Sequence, residues 1–278
     1  MWKEKERYLG EEYNPFTGRY EPFYSTDSKR VWVSPKTPVK KVMKTRRVAI
    51  VSGNIIEVKN YSEDQYYNYS VSYKGGKRAG AVQKRSDKIN EAKIRLRRLI
   101  NANVVPSSKF VTLTFKDNIE DVKVAKNHFK KFVMRLNYLR KKEGKGNLKY
   151  IYVVEFQKRG AVHFHCIFFN MGYVKNSDLQ LIWRFGYVRI NIIKNVDNVG
   201  AYVVKYMQKD LVNEGLKGFD LYGRSRDLRE PVEIKEPSQV GKLIEGFEKY
   251  IVYSKTYMTK YRGNVEYIQY NLSRKVRK

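Results

Sequence analysis

Cysteine occurs once in this chain, at Cys166. A single thiol excludes an internal disulfide framework and fits a reducing, cytoplasmic setting. No apolar run approaches the roughly 20 residues that a membrane helix needs. The opening MWKEKERYLG lacks the apolar stretch of a signal peptide, so no membrane partner is expected. Acidic residues are scarce, 28 Asp and Glu against 57 Lys and Arg, which leaves a formal net charge of +29 over 278 residues. That surplus favours a polyanionic partner, because each neutralised phosphate releases condensed counterions. Histidine occurs only three times. There is no internal repeat, no low-complexity stretch and no G-x-x-x-x-G-K-S/T phosphate loop, so a nucleotide-driven motor is not expected within the chain. Apolar content is ample at 42%, enough for a folded core.

Residues 1–86 have no clear helical period and include the acid-free run KTPVKKVMKTRR from Lys36 to Arg47. They read as a basic extension holding one hairpin, VAIVSGNIIEV, with Ser-Gly-Asn at its turn. From Asp87 the pattern sharpens. DKINEAKIRLRRLINAN sets Ile89, Ala92, Ile94, Leu96, Leu99 and Ile100 among Lys93, Arg95, Arg97 and Arg98, a basic amphipathic helix. KFVTLTFKD alternates as a strand, with Val111, Leu113 and Phe115 on one face and Thr112 and Thr114 on the other. Val122, Ala125, Phe129, Phe132, Val133 and Leu136 recur at helical spacing, and that helix ends in basic residues and glycines. Two strands follow, LKYIYVVEF and AVHFHCIFF. A short helix is signalled by Asn176-Ser177-Asp178 and ended by Gly186. YVRINII alternates again, and a last helix is opened by Asp197 or Asn198.

The order from Phe110 to Leu211 is therefore β-α-β-β-α-β and one further helix. It predicts an α+β domain of the split βαβ kind, like ferredoxins and RNA-recognition domains: an antiparallel sheet with helices on one face and the other face free.

His163 and His165 alternate onto one strand face, while Phe164, Cys166 and Phe168 turn to the core. A three-residue turn at Lys158-Arg159-Gly160, with Gly160 left-handed, pairs residue 157 with 161 and Glu155 with His163. Their Cβ atoms would then be about 5 Å apart. A lone His-x-His carries little weight, but two imidazoles and a carboxylate in register make a divalent-metal site with open positions. His128 reads as structural or solvent-facing.

In the last helix, spacings of three, four and seven put Tyr202, Lys205, Tyr206 and Lys209 on one face, opposite Val203, Val204, Met207 and Leu211. Cations beside a phenol favour its ionised form, and such a tyrosine can act as a covalent nucleophile. Alone, this helix would read as an ordinary DNA-facing surface.

Together these stretches resemble the HUH endonuclease superfamily, and within it the rolling-circle replication initiators of small plasmids and single-stranded DNA phages. FVTLTF (Phe110 to Phe115) is similar to that family's first motif. HFH, with Glu155 eight residues ahead, resembles the metal-binding motif, and YVVK (Tyr202 to Lys205) resembles the Y-x-x-K motif. RSRDLREPV looks like a segment common after the nuclease core. The resemblance covers roughly residues 87–235 as an HUH nuclease domain, leaving 1–86 as the extension and 236–278 as a basic C-terminal tail.

The resemblance implies Mn²⁺ or Mg²⁺ on Glu155, His163 and His165, attack by Tyr202 or Tyr206, and assistance from Lys205. It implies a 5′-phosphotyrosine link and a 3′-OH primer on single-stranded or supercoiled origin DNA, with helicase and polymerase from a bacterial host. YMQK (Tyr206 to Lys209) also satisfies Y-x-x-K, so spacing does not choose the first nucleophile. Arg95, Arg97, Arg98 and Lys209 are expected to contact the DNA backbone, which carries no sequence information. The rival readings are a non-catalytic, RRM-like nucleic-acid-binding module that stacks bases, and an HUH relaxase or transposase.

Overall fold

The computed structural model describes residues 7–14, 19–25, 46–61, 77–193, 198–204, 220, 222–259 and 263–274; for 7–14, 19–25 and 77–87 it describes the backbone alone. In chain order the elements are strands β1 (Arg7–Asn14), β2 (Arg19–Ser25), β3 (Arg46–Ser52) and β4 (Ile55–Tyr61), helix α1 (Lys77–Asn103), β5 (Lys109–Phe115), α2 (Val122–Lys142), β6 (Tyr150–Phe156), β7 (Val162–Phe168), α3 (Asn176–Trp183), β8 (Gly186–Ile192), α4 (Val199–Val204), β9 (Tyr222–Arg224), β10 (Val232–Ile234), α5 (Pro237–Ile244), β11 (Ile251–Thr259) and β12 (Gly263–Asn271). The fold is α+β. β1 pairs with β2, and the other ten strands form two five-stranded antiparallel sheets.

The first sheet has the order β8-β5-β7-β6-β9, so the four strands of the expected β-α-β-β-α-β unit interleave as a split βαβ sheet. Strand alternation sorts its faces. Val111, Leu113, Phe115, Phe164, Cys166 and Phe168 turn to one side and pack with α2 and α3. All six apolar positions read as the helical stripe of α2 are buried. Asp121 caps that helix by accepting from the Lys123 and Val124 N–H groups, and Arg140, Lys141 and Lys142 complement the negative end of its dipole. Trp183 is fully buried, donates its indole N–H to the Thr114 carbonyl at 3.1 Å and meets Phe115 at 5.1 Å between centroids. Burying a ring of this kind contributes roughly 1.5–3 kcal/mol.

The structure corrects three expectations. α3 stops at Trp183, and it is Arg184, at φ +70°, that takes the left-handed turn. The Arg135 guanidinium donates to the Ile182 and Trp183 carbonyls there, and Gly186 instead opens β8. The face of the first sheet opposite α2 and α3 is not free. Phe110, Ile151, Val153 and Ile167 are buried there under Leu96, Leu99 and Ile100 of α1 and Val199 and Val203 of α4. α1 also begins ten residues before Asp87, in a stretch of Lys, Arg, Ala and Gln whose intrinsic propensity, not an apolar period, favours helix.

The second sheet has the order β10-β3-β4-β12-β11. The hairpin read at 46–61 forms, but residues assigned from the sequence to an extension and to a tail are neighbours here, with β4 paired to β12. α5 covers one face, where Val240 packs with Ala49, Ile56, Val58 and Tyr270. On the other face Glu57, 2% exposed, accepts from the guanidiniums of Arg97 at 2.6 Å and Arg98 at 2.5 Å and from the Tyr267 hydroxyl at 2.8 Å. α1 is thus shared, its apolar stripe against the first sheet and its arginines against the second. Among the described residues no helix is long and apolar enough to cross a membrane.

Candidate metal centre

The hairpin β6–β7 turns where the sequence places it. Gln157 N–H donates to the Ala161 carbonyl at 2.8 Å, Gly160 adopts φ +86°, and Glu155 pairs with His163. β5 lies on the far side of β7, with Thr112 opposite His165 and Thr114 opposite His163. Two cross-strand rows result on one sheet face: Tyr187, Thr114, His163 and Glu155, and then Arg189, Thr112, His165 and Val153.

The ligand atoms of Glu155, His163 and His165 all lie within 4.8 Å of one another. Glu155 Oε2 is 3.3 Å from His163 Nε2 and also bonds His165 Nε2. Thr112 Oγ1 meets His165 Nδ1 at 3.3 Å, and Thr114 Oγ1 meets His163 Nδ1 at 3.4 Å. Each hydroxyl can accept the Nδ1 proton, which fixes the tautomer that leaves an Nε2 lone pair turned to the carboxylate. Burial raises the Glu155 carboxyl, but hydrogen bonding and charge from His165, then from His163, outweigh it and hold it below its ordinary value. Two neutral imidazoles and one carboxylate leave a net negative charge among three donors, so the set fits a divalent cation.

Tyr202 is 40% exposed on α4. Its ring packs edge-on against Phe110 at 6.0 Å, and Phe110 stacks on His165 at 5.7 Å, so the ring is one side chain removed from a candidate ligand. Asn198 opens the helix, accepting from the Ala201 N–H at 3.0 Å. Lys205, Tyr206 and Lys209 lie outside the described residues.

The three arginines expected at DNA divide. Arg95 is exposed, whereas Arg97 and Arg98 turn inward to Glu57, because a buried carboxylate draws in counter-charge. His128 packs its ring on Phe185 at 4.0 Å, and burial, then Lys131 and Arg135, push its imidazole pKa down. Sequence reasoning missed Thr112 and Thr114 as supports of the histidines, although the same alternation that set them opposite the core would have found them. It also missed exposed Tyr187 and Arg189, which share the face of the histidines two strands away, about 10 Å.

A split βαβ sheet with two histidines and a glutamate on one face, beside a tyrosine-bearing helix, defines a candidate metal-dependent nucleic-acid enzyme. Residues 108–211, which run from the start of β5 through α4, match the model of the Replication-associated protein ORF2 family. That family comprises rolling-circle replication initiators of the HUH type, so this segment is replication-associated and its resemblance to them stands. No curated protein and no solved structure matches the chain.

Proposed function

We propose that the protein is a metal-dependent, site-specific single-stranded DNA nickase and strand transferase that initiates rolling-circle replication. The observation that carries this reading is the convergence of Glu155, His163 and His165 within 4.8 Å, on the face where Tyr202 packs and inside the family-matched segment. These three residues would hold Mn²⁺ or Mg²⁺, and such an ion supplies Lewis-acid polarisation of the scissile phosphate. Thr112 and Thr114 keep both imidazoles oriented.

The Tyr202 phenol loses its proton and attacks phosphorus. The tyrosine O–P bond forms and the P–O3′ bond breaks, with O3′ taking up a proton. The products are a 5′-phosphotyrosine link and a free 3′-OH for a host polymerase to extend. Lys205 stabilises charge on the phosphate, and Tyr206 carries the reverse transfer that ends a round. Arg95 and Lys209 hold the DNA backbone, and a host helicase separates the strands.

Covalent trapping tests this. The full chain is incubated with single-stranded DNA of its own replicon, with and without Mn²⁺, and denatured in SDS. The expected result is a metal-dependent, SDS-resistant adduct that His163→Ala abolishes and that one of Tyr202→Phe and Tyr206→Phe removes, which names the nucleophile. Tight binding with neither adduct nor nick under Mn²⁺ or Mg²⁺ would favour the binding module instead.

A further inference from the structure

We infer that Asn101 is a positioning residue for Tyr202, an inference that rests on the reading of Tyr202 as a nucleophile. Asn101 stands in the last turn of α1, 6% exposed. Its Oδ1 accepts from the Gly200 N–H at 2.8 Å, and its Nδ2 donates to Asn198 Oδ1 at 3.0 Å. That same Asn198 oxygen accepts from Ala201 N–H, while the Asn198 carbonyl accepts from Tyr202 N–H at 3.2 Å. The opening N–H groups of a helix have no partner within it. Here one amide from a different helix satisfies one of them directly and aligns the residue that satisfies the next.

The two helices are also in backbone contact. A Cβ at Gly200 would stand 2.2 Å from the Arg97 carbonyl oxygen and 2.9 Å from Asn101 Oδ1, so only glycine lets α4 come this close to α1. α1 in turn is held to the second sheet by Glu57 through Arg97 and Arg98, and Asn103 exchanges hydrogen bonds with the Arg229 backbone at 2.8 and 2.9 Å. A path of direct contacts therefore runs from the second sheet through α1 and Asn101 to the turn that carries Tyr202. In-line attack needs the reacting atoms about 3–3.5 Å apart, and a 1 Å error costs on the order of 100-fold in rate. Asn101 sets the start of α4, and with it the reach of the Tyr202 phenol.

The test is single-turnover adduct formation by the full chain with Mn²⁺ and single-stranded DNA of its own replicon, comparing wild type with Asn101→Leu, Asn101→Asp and Gly200→Ala. Asn101→Leu is expected to lower the rate constant at saturating DNA by roughly 30–100-fold, with the half-saturating DNA concentration, Mn²⁺ affinity and far-UV circular dichroism unchanged. Asn101→Asp keeps an acceptor for the Gly200 N–H and recovers part of the rate. Gly200→Ala, which drives α4 off α1 with Asn101 intact, reproduces the loss. A wild-type rate constant in Asn101→Leu overturns the inference, as does a loss spread equally over DNA and Mn²⁺ binding. If Asn101→Leu does not fold, Asn101→Asp decides: a several-fold slower rate constant supports positioning and a wild-type one refutes it. A wild-type chain that forms no adduct removes the nickase reading itself, an outcome the wild-type lane alone identifies.

Discussion

Glu57 and Glu155 each stand in a five-stranded antiparallel sheet, and they are neutralised in opposite ways. Glu57 meets two guanidiniums and a phenol, so its single charge is outnumbered by permanent cations. Burial raises its carboxyl, and Arg97 and Arg98 bring it below its ordinary value, while the same burial beside Glu57 pushes the Tyr267 phenol up. Glu155 meets imidazoles, which are neutral in the form that binds a metal. The first carboxylate belongs to a completed ion-pair network. The second retains net negative charge next to two nitrogen donors. A buried acid alone therefore does not mark a site; the kind of partner beside it does.

Removing each carboxylate separates the two roles. Glu57→Ala leaves two guanidiniums facing the sheet without their acid and should cost about 3–5 kcal/mol in urea denaturation; a cost near zero would dissolve the comparison. Because the folded state holds the Glu57 carboxyl below its unfolded value of about 4.3, its stabilisation is full above that pH and is lost as pH falls through the folded pKa. Glu57→Gln should accordingly flatten the decline of stability in acid.

The effect expected at Glu155 depends on metal. Mn²⁺ at 100 times its dissociation constant should stabilise the wild-type chain by about 2.7 kcal/mol, read as a rise in Tm that Glu155→Ala lacks. Smaller again, Thr112→Val and Thr114→Val should each weaken Mn²⁺ binding by about 10–100-fold in titration calorimetry, with little change in Tm of the metal-free chain. Equal affinity in both variants would mean that the hydroxyls do not orient the imidazoles.

The two regions also differ in how much of them could be read in advance. β5 through β8 follow one another within 109–192, and each neighbour is announced by a local signal: alternation for Thr112 and Thr114, a glycine turn for the 155–163 pairing, an apolar stripe for α2. The candidate ligands were legible because one hairpin register carries all three. The second sheet joins Glu57 to Tyr267 across 210 positions, and no local period tells β4 that its neighbour is β12. Arg97 and Arg98 read as phosphate contacts for the same reason, since the acid that claims them stands 40 and 41 positions away in a strand. Asn101 carried no signal at all, because a polar residue near a helix end is ordinary until the helix it caps is known.

β4 lies between β3 and β12, and this has a consequence for the chain as it is being made. At roughly 5–20 residues per second, Tyr267 leaves the ribosome about 10–40 s after Glu57. The strands that bear His163, His165 and Glu155 have all emerged by then, together with their partner β9. The order of translation thus orders assembly: the sheet with the candidate ligands can close while the sheet with Glu57 still lacks two of its five strands.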